Sequence, residues 1–284
     1  MELAPDRTAL VGMVHLLPLP GSPGFPRLVR ELAATCPQHI HPTRHAIRHM
    51  LDRARFDAEA LLENGCDALL VENMHDLPYL RGTAPTETVA AMALGCEAVA
   101  AFDAPFGVQI LAGANLEALG VALATGATFM RAEAFAYAHV ADEGWLDAAA
   151  GPLLRKRADL GADLAPAIAV WADVKKKHSA HAVTADLSLA DAAHGAAFCG
   201  ADAVIITGST TGATASIDDV IAAAYSHLPV VVGSGITPAN AAAFAAHAQA
   251  LIVGSSLKVD GDWRRPVDPA RVRELADALG KRNA

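Results

Sequence analysis

Pro229-Val230-Val231-Val232-Gly233-Ser234-Gly235-Ile236-Thr237 and Ala250-Leu251-Ile252-Val253-Gly254-Ser255-Ser256-Leu257-Lys258 read as one unit written twice, with a helix between the copies. Each begins with a short apolar run, rich in β-branched residues, of the length of a strand buried on both faces. Each ends in Gly and Ser, whose bare backbone can approach an anion. In an eight-fold β/α barrel the loops after strands seven and eight, with the N-terminus of a short helix, commonly hold phosphate. Thr237 and Pro238 are placed as N-cap and first helical residue after the first turn. The alternative is that these glycines only turn the chain, as any α/β protein requires. Two such turns in succession favour phosphate, with Gly233, Ser234, Gly235, Gly254 and Ser255 as the backbone contacts.

The chain has 284 residues, 53% of them hydrophobic, enough for one large barrel or two ordinary domains. A net charge of -9 argues against a nucleic-acid scaffold. No apolar run is long enough to cross a bilayer, and the first residues lack the basic-then-apolar order of a signal peptide, so a cytoplasmic protein is expected. Cys36, Cys66, Cys96 and Cys199 form no C-x-x-C pair and read as reduced thiols.

Working outward from the glycine turns, six more strands precede them, alternating with helical patterns. Ala9 to Leu16 delivers His15 to the end of strand one, where barrel enzymes keep their chemistry; a buried, hydrogen-bonded histidine is the other reading. Residues 26–42 read as irregular, with a short helix before Cys36, and helical spacing follows from Thr43 to Asn64. Asp67 to Val71 delivers Glu72 and Asn73. Gly107 to Leu111 carries Gln109, which either lines a site or closes a core network; Asn115 after it is either a helix cap or a ligand contact.

Strand four, Thr128 to Glu133, places Arg131 and Glu133 on one face, as an internal ion pair or as substrate contacts. Residues 135–145, with Tyr137, His139 and Trp145, read as a lid. Strand five, Ile168 to Val174, runs into Asp173-Val174-Lys175-Lys176-Lys177-His178-Ser179, and period two puts Asp173 and Lys175 together. Such a pair suits a lysine held for proton transfer, imine formation or anion binding. After strand six, Ala203 to Ile206, the loop Thr207-Gly208-Ser209-Thr210-Thr211-Gly212 could grip a hydroxyl or phosphate, or simply turn. Eight strands, each followed by a helix and without a linker, make residues 1–284 one α/β domain, a (β/α)8 barrel.

Val11-Gly12-Met13-Val14-His15-Leu16 with Pro18-Leu19-Pro20-Gly21-Ser22-Pro23, Val71-Glu72-Asn73, Asp173 to Ser179, and Val232-Gly233-Ser234-Gly235 together resemble the BtpA/SgcQ family over nearly the whole chain. The resemblance implies a TIM barrel related to phosphate-binding barrels. It implies little about chemistry: one branch is known as a photosystem I biogenesis factor in cyanobacteria, and another belongs with sugar-utilisation genes as a predicted barrel enzyme. Asp173-x-Lys175 is also similar to the Asp-x-Lys of the orotidine-phosphate decarboxylase suite, although it follows a different strand here and His178 stands in place of the second aspartate.

Three functions are therefore carried forward. The first is an isomerase or lyase acting on a small phosphorylated metabolite, a sugar phosphate or nucleotide-like compound. Lys175, Asp173, Glu72, Glu133 and His15 are its catalytic candidates, and Asn73, Gln109, Asn115, Arg131, His178, Thr207 and Gly208 its substrate contacts. The second is metal-assisted hydrolysis, with a divalent ion held by residues drawn from His15, Glu72, Asp173 and His178. The third is a non-enzymatic assembly factor that has kept its barrel. A homo-oligomer is the default for such barrels.

Overall fold

The computed structural model of the chain describes residues 1, 3–4, 7–208 and 214–281. Eight apolar segments, buried along nearly their whole length, close into a parallel barrel: β1 (Ala9–His15), β2 (Ala68–Glu72), β3 (Phe106–Gln109), β4 (Phe129–Ala132), β7 (Ala169–Val174), β9 (Ala203–Ile206), β10 (Val230–Val232) and β11 (Ala250–Val253), with β11 returning to β1. The remaining strands, β5 (His139–Ala141), β6 (Gly144–Leu146) and β8 (Ser179–Ala180), form a separate antiparallel sheet. The segment expected to be a lid therefore becomes two strands tied to the stretch that follows β7. Helices α1 (Phe25–Leu32) and α2 (Pro42–Leu62) separate β1 from β2; the first is longer than the sequence suggested.

Strand period two sorts the side chains into two cores. Residues facing outward pack under the helices, among them Leu10, Val14, Leu69, Val71, Val170 and Val204. Their inward neighbours, including Val11, Met13, Leu70, Phe129, Trp171 and Ile205, fill the barrel. The rings of Phe129 and Trp171 stack with centroids 4.0 Å apart. Gly107 makes room for them, because a Cβ there would fall 2.3 Å from the Phe129 ring. Continuing the same inward parity toward the carboxyl ends, apolar residues give way to His15, Glu72, Arg131 and Asp173, all buried. The lower barrel is thus a packed plug and the upper barrel a layer of charge.

One local expectation is corrected. Thr237 and Pro238 do not open a helix: residues 237–240 form a turn, closed by Asn240 Oδ1 accepting from the Thr237 N–H at 2.8 Å, and the helix that follows is Ala241–Ala245. The Asn side chain offers the backbone a competing local bond that delays the helix.

Candidate functional site at the mouth of the barrel

A cavity of about 320 Å³ opens at the carboxyl ends of the strands. Both glycine turns line it: Gly233, Ser234 and Gly235 after β10, and Gly254 and Ser255 after β11. His15, Glu72, Arg131 and Lys177 complete the floor, and Arg271 stands at the wall beside Ser256. The two turns sit close to the chemistry-bearing groups. A Cβ on Gly254 would lie 3.3 Å from His15 Nε2, and one on Gly233 would lie 3.6 Å from Arg131 Nη2.

His15 Nδ1 lies 3.3 Å from the Trp263 carbonyl, an acceptor only, so that nitrogen carries the proton and Nε2 presents a lone pair toward Glu72 Oε2 at 3.6 Å. Burial, reinforced by the Lys258 ammonium, holds His15 well below the ordinary histidine range, so it is neutral at pH 7. Glu72 is pushed upward, chiefly by burial, against the pull of Arg131 and Lys177. The floor therefore holds a base and a reluctant carboxylate side by side.

Arg131 binds Asp173 through two bonds, Nε to Oδ2 at 3.0 Å and Nη2 to Oδ1 at 2.9 Å. Glu133 instead accepts from Lys176 Nζ at 3.2 Å, and Lys176 also faces Glu143 at 3.8 Å. Burial lowers the Lys176 pKa, but the two carboxylates outweigh it and leave the ammonium firmly charged. β4 ends at Ala132, short of Glu133, and Arg131 and Glu133 each pair with the strand or loop next door rather than with the other.

Lys175 requires the main correction. Its side chain leaves the cavity and donates to the Leu187 carbonyl at 2.6 Å, and Asp173 belongs to Arg131. The period-two alternation stops before Lys175: β7 ends at Val174, and Lys175 takes a left-handed φ of 48° that redirects the chain. Lys177 reaches the cavity in its place, with its backbone N–H held by Thr207 Oγ1 at 3.1 Å. Burial, and next Arg131, lower the Lys177 pKa.

The other expected contacts scatter. Asn73 is spent on scaffolding, its Oδ1 accepting from Leu111 N at 2.8 Å and its Nδ2 donating to Asp76 at 3.1 Å. Asn115 is neither cap nor main-cavity contact: Ala114 is the N-cap, and Asn115 Nδ2 donates to the Glu133 carbonyl at 2.8 Å. Gln109 is buried, with Oε1 lacking a partner among the described residues, and lies off the main cavity. His178 is exposed. The Gly208 N–H donates to Ser234 Oγ at 2.8 Å, which ties two exit loops together, while Ser209 to Gly212 of that loop lie outside the described residues. Of the four residues expected to ligate a metal, Asp173 is held by Arg131 and His178 is not among the residues that line the cavity; among the described residues no three His, Cys, Asp or Glu side chains converge on one point.

With this geometry in view, comparisons with known proteins place the chain. The BtpA family model matches residues 6–281. The chain belongs to the BtpA family. A mitochondrial protein of Caenorhabditis elegans, named only as uncharacterized, is 43% identical over 95% of this chain and 92% of its own length. The Photosystem I biogenesis protein BtpA of Synechocystis is 31% identical over 96% of this chain and 88% of its own. Among solved structures, KGPDC from Streptococcus mutans superposes with a TM-score of 0.55 at 12% identity, covering 96% of this chain and 98% of that one. A 3-hexulose-6-phosphate synthase gives 0.55 at 16%, covering 95% and 99%. At such identities the structural likeness establishes the TIM-barrel fold of this BtpA-family chain. No helix among its described residues is long and apolar enough to cross a membrane.

Proposed function

We propose that this BtpA-family barrel is an enzyme that binds a small phosphorylated metabolite at its mouth and moves a proton on it, as an isomerase or lyase does. One observation carries the reading: two consecutive glycine turns line the same cavity as a neutral histidine, a carboxyl group and three cations, Arg131, Lys177 and Arg271. Backbone N–H groups of the turns at Gly233–Gly235 and Gly254–Ser255 would hold the phosphate. A buried site strengthens each such bond because water does not compete. His15 Nε2 is the candidate base, Glu72 the acid, and Lys177, in place of Lys175, the group that stabilises developing negative charge. Arg131 orients the floor through Asp173.

A cavity of about 320 Å³ suits a phosphate with a few carbons and lies at the lower end of ligand-pocket sizes. The overall negative charge supports a small-molecule ligand rather than nucleic acid. Cytoplasmic location, supported by four free cysteines, and homo-oligomeric assembly are part of the same proposal.

Thermal unfolding with inorganic phosphate and a panel of phosphorylated sugars tests the reading. A ligand at about a hundred times its Kd adds about 2.7 kcal/mol, a rise of several degrees in Tm. No rise with any of them, or a phosphate-soaked crystal with the anion away from both turns, defeats it. The relative named for photosystem I biogenesis supports a second reading, an assembly factor. A protein whose role survives both Lys177→Met and Glu72→Gln unchanged would be of that second kind.

A further inference from the structure

Two cations, Arg131 and Lys177, stand on the cavity floor, and neither spends all its donors on a carboxylate. Arg131 spends Nε and Nη2 on Asp173, and no other hydrogen bond of its guanidinium is made among the described residues, so Nη1 is unspent in a residue that lines the cavity. Lys177 lines the same floor, half-buried, and no carboxylate pairs with it among the described residues. The neighbouring acids are engaged or reluctant. Asp173 is held at both oxygens by Arg131, Glu133 is paired with Lys176, and Glu72 resists ionisation because it is buried. An enclosed ammonium without a counter-ion is costly unless a ligand supplies the charge. A planar guanidinium with donors to spare favours an oxygen pair over a single atom.

The glycine turns lie on the β10 and β11 side of the same cavity, where bare N–H groups suit a phosphate. The floor adjoins the first of those turns, since a Cβ on Gly233 would lie 3.6 Å from Arg131 Nη2, and its two cations offer negative charge a second place in the same cavity. We infer that the substrate carries two anionic groups, a phosphate seated on the glycine turns and a carboxylate seated between Arg131 Nη1 and Lys177 Nζ. The inference rests on the phosphate reading above and narrows it from phosphorylated metabolites in general to phosphorylated carboxylic acids. Uncharged sugar phosphates then become the weaker ligands. The carboxylate also places the carbon next to it near His15 Nε2, the base on the same floor.

The test compares two probes of equal phosphate chemistry, glycerol 3-phosphate and 3-phosphoglycerate, by calorimetry on the full chain, with inorganic phosphate as reference. The expected result is 3-phosphoglycerate binding about tenfold or more tightly than glycerol 3-phosphate, the gain of one charge-assisted contact. In Lys177→Met that preference should fall to near unity while inorganic phosphate still binds, and Lys177→Arg should restore much of it. Equal affinity for the two probes in the parent protein overturns the inference but leaves the phosphate reading standing. A preference undiminished in Lys177→Met also overturns it, because the carboxylate would then sit elsewhere. Failure of all three probes to bind is the separate outcome that removes the phosphate reading, and the inference with it.

Discussion

The two halves of the cavity wall are each backed by a buried ion pair, and the pairs are built differently. Behind the Gly254 turn, Lys258 is fully buried and donates to the Met13 carbonyl at 3.1 Å and to Asp57 Oδ2 at 3.0 Å. Asp57 also accepts from Val267 N at 2.8 Å and from Arg53 Nε at 3.1 Å, so one carboxylate joins α2, β1 and the segment after β11. Behind the Gly233 turn, Asp173 takes both its bonds from Arg131 alone, on the adjacent strand. Lys258 touches no part of the cavity, whereas Arg131 lines it. A buried pair that rivets three segments is structural; one that neutralises a cation locally and leaves its outer edge bare is built for a ligand.

Removing the rivet should have the largest effect. Lys258→Met leaves Asp57, in a fully buried place, with Arg53 as its one remaining cation and should cost about 3 kcal/mol, the low end for breaking a buried pair, in chemical denaturation. Adding Asp57→Leu should recover part of that loss, because a buried charge that has lost a partner is dearer than an apolar replacement. If Lys258→Met unfolds at the parent's midpoint, the pair contributes nothing and the contrast between the two walls fails.

Next in size is the other wall. Gly233→Ala puts a methyl 2.7 Å from Ile205 Cγ2 and 3.1 Å from Thr207 Cγ2. Both neighbours are β-branched and stiff at χ1, so they cannot swing aside. Overpacking of this kind costs about 1–3 kcal/mol, read as a lower denaturant midpoint at unchanged slope.

Two groups of the floor between these walls give opposite pH responses. Burial, with Lys258 next, holds His15 below its unfolded value, so the native state refuses a proton that the unfolded chain accepts. The His15 contribution to stability is present above about pH 6.5 and is lost as pH falls through the unfolded value. His75 and His139, each lowered to about 4 by burial, add to that loss between pH 7 and 5. Glu72 acts the other way: its raised pKa means stability present at acid pH and lost as pH rises past the unfolded glutamate value near 4.3. His15→Gln should therefore flatten part of the decline toward pH 5, and Glu72→Gln should raise stability at pH 7. Denaturation curves at three pH values check both signs.

The barrel was legible in the sequence because its signal is local: buried strands are short β-branched runs, and a polar residue at the carboxyl end of such a run is positioned by its own strand. That is why His15 and Glu72 could be placed by the end of their runs and Arg131 by alternation. Lys177 could not, because its position depends on a left-handed residue two places earlier, and Lys carries no sequence mark of that backbone state. The partners of Arg131 and Glu133 were equally hidden, since cross-strand choice depends on stagger rather than on spacing within one strand. Asn73 and Asn115 looked like ligands because a polar side chain near a strand exit reads the same whether it meets a substrate or a neighbouring loop's backbone.

The smallest expected change in stability is also the most discriminating. The nearest atoms to a methyl at Gly254 are the side-chain atoms His15 Cε1, His15 Nε2 and Met13 Cγ, each at 3.3 Å, a contact that side chains relieve by moving a few tenths of an ångström. Met13 is flexible and His15 borders open space, so Gly254→Ala should shift stability by less than about 1 kcal/mol. The methyl nevertheless occupies the approach that a phosphate needs to reach the turn and stands against the lone pair of the base. Phosphate-induced thermal stabilisation should fall to near zero in a protein that is otherwise as stable as its parent. Gly233→Ala cannot separate these quantities, because it disturbs packing and ligand approach together. A Gly254→Ala protein that still gains the parent's full shift with phosphate would place the anion on the Gly233 turn alone, and the cavity would then have one working wall instead of two.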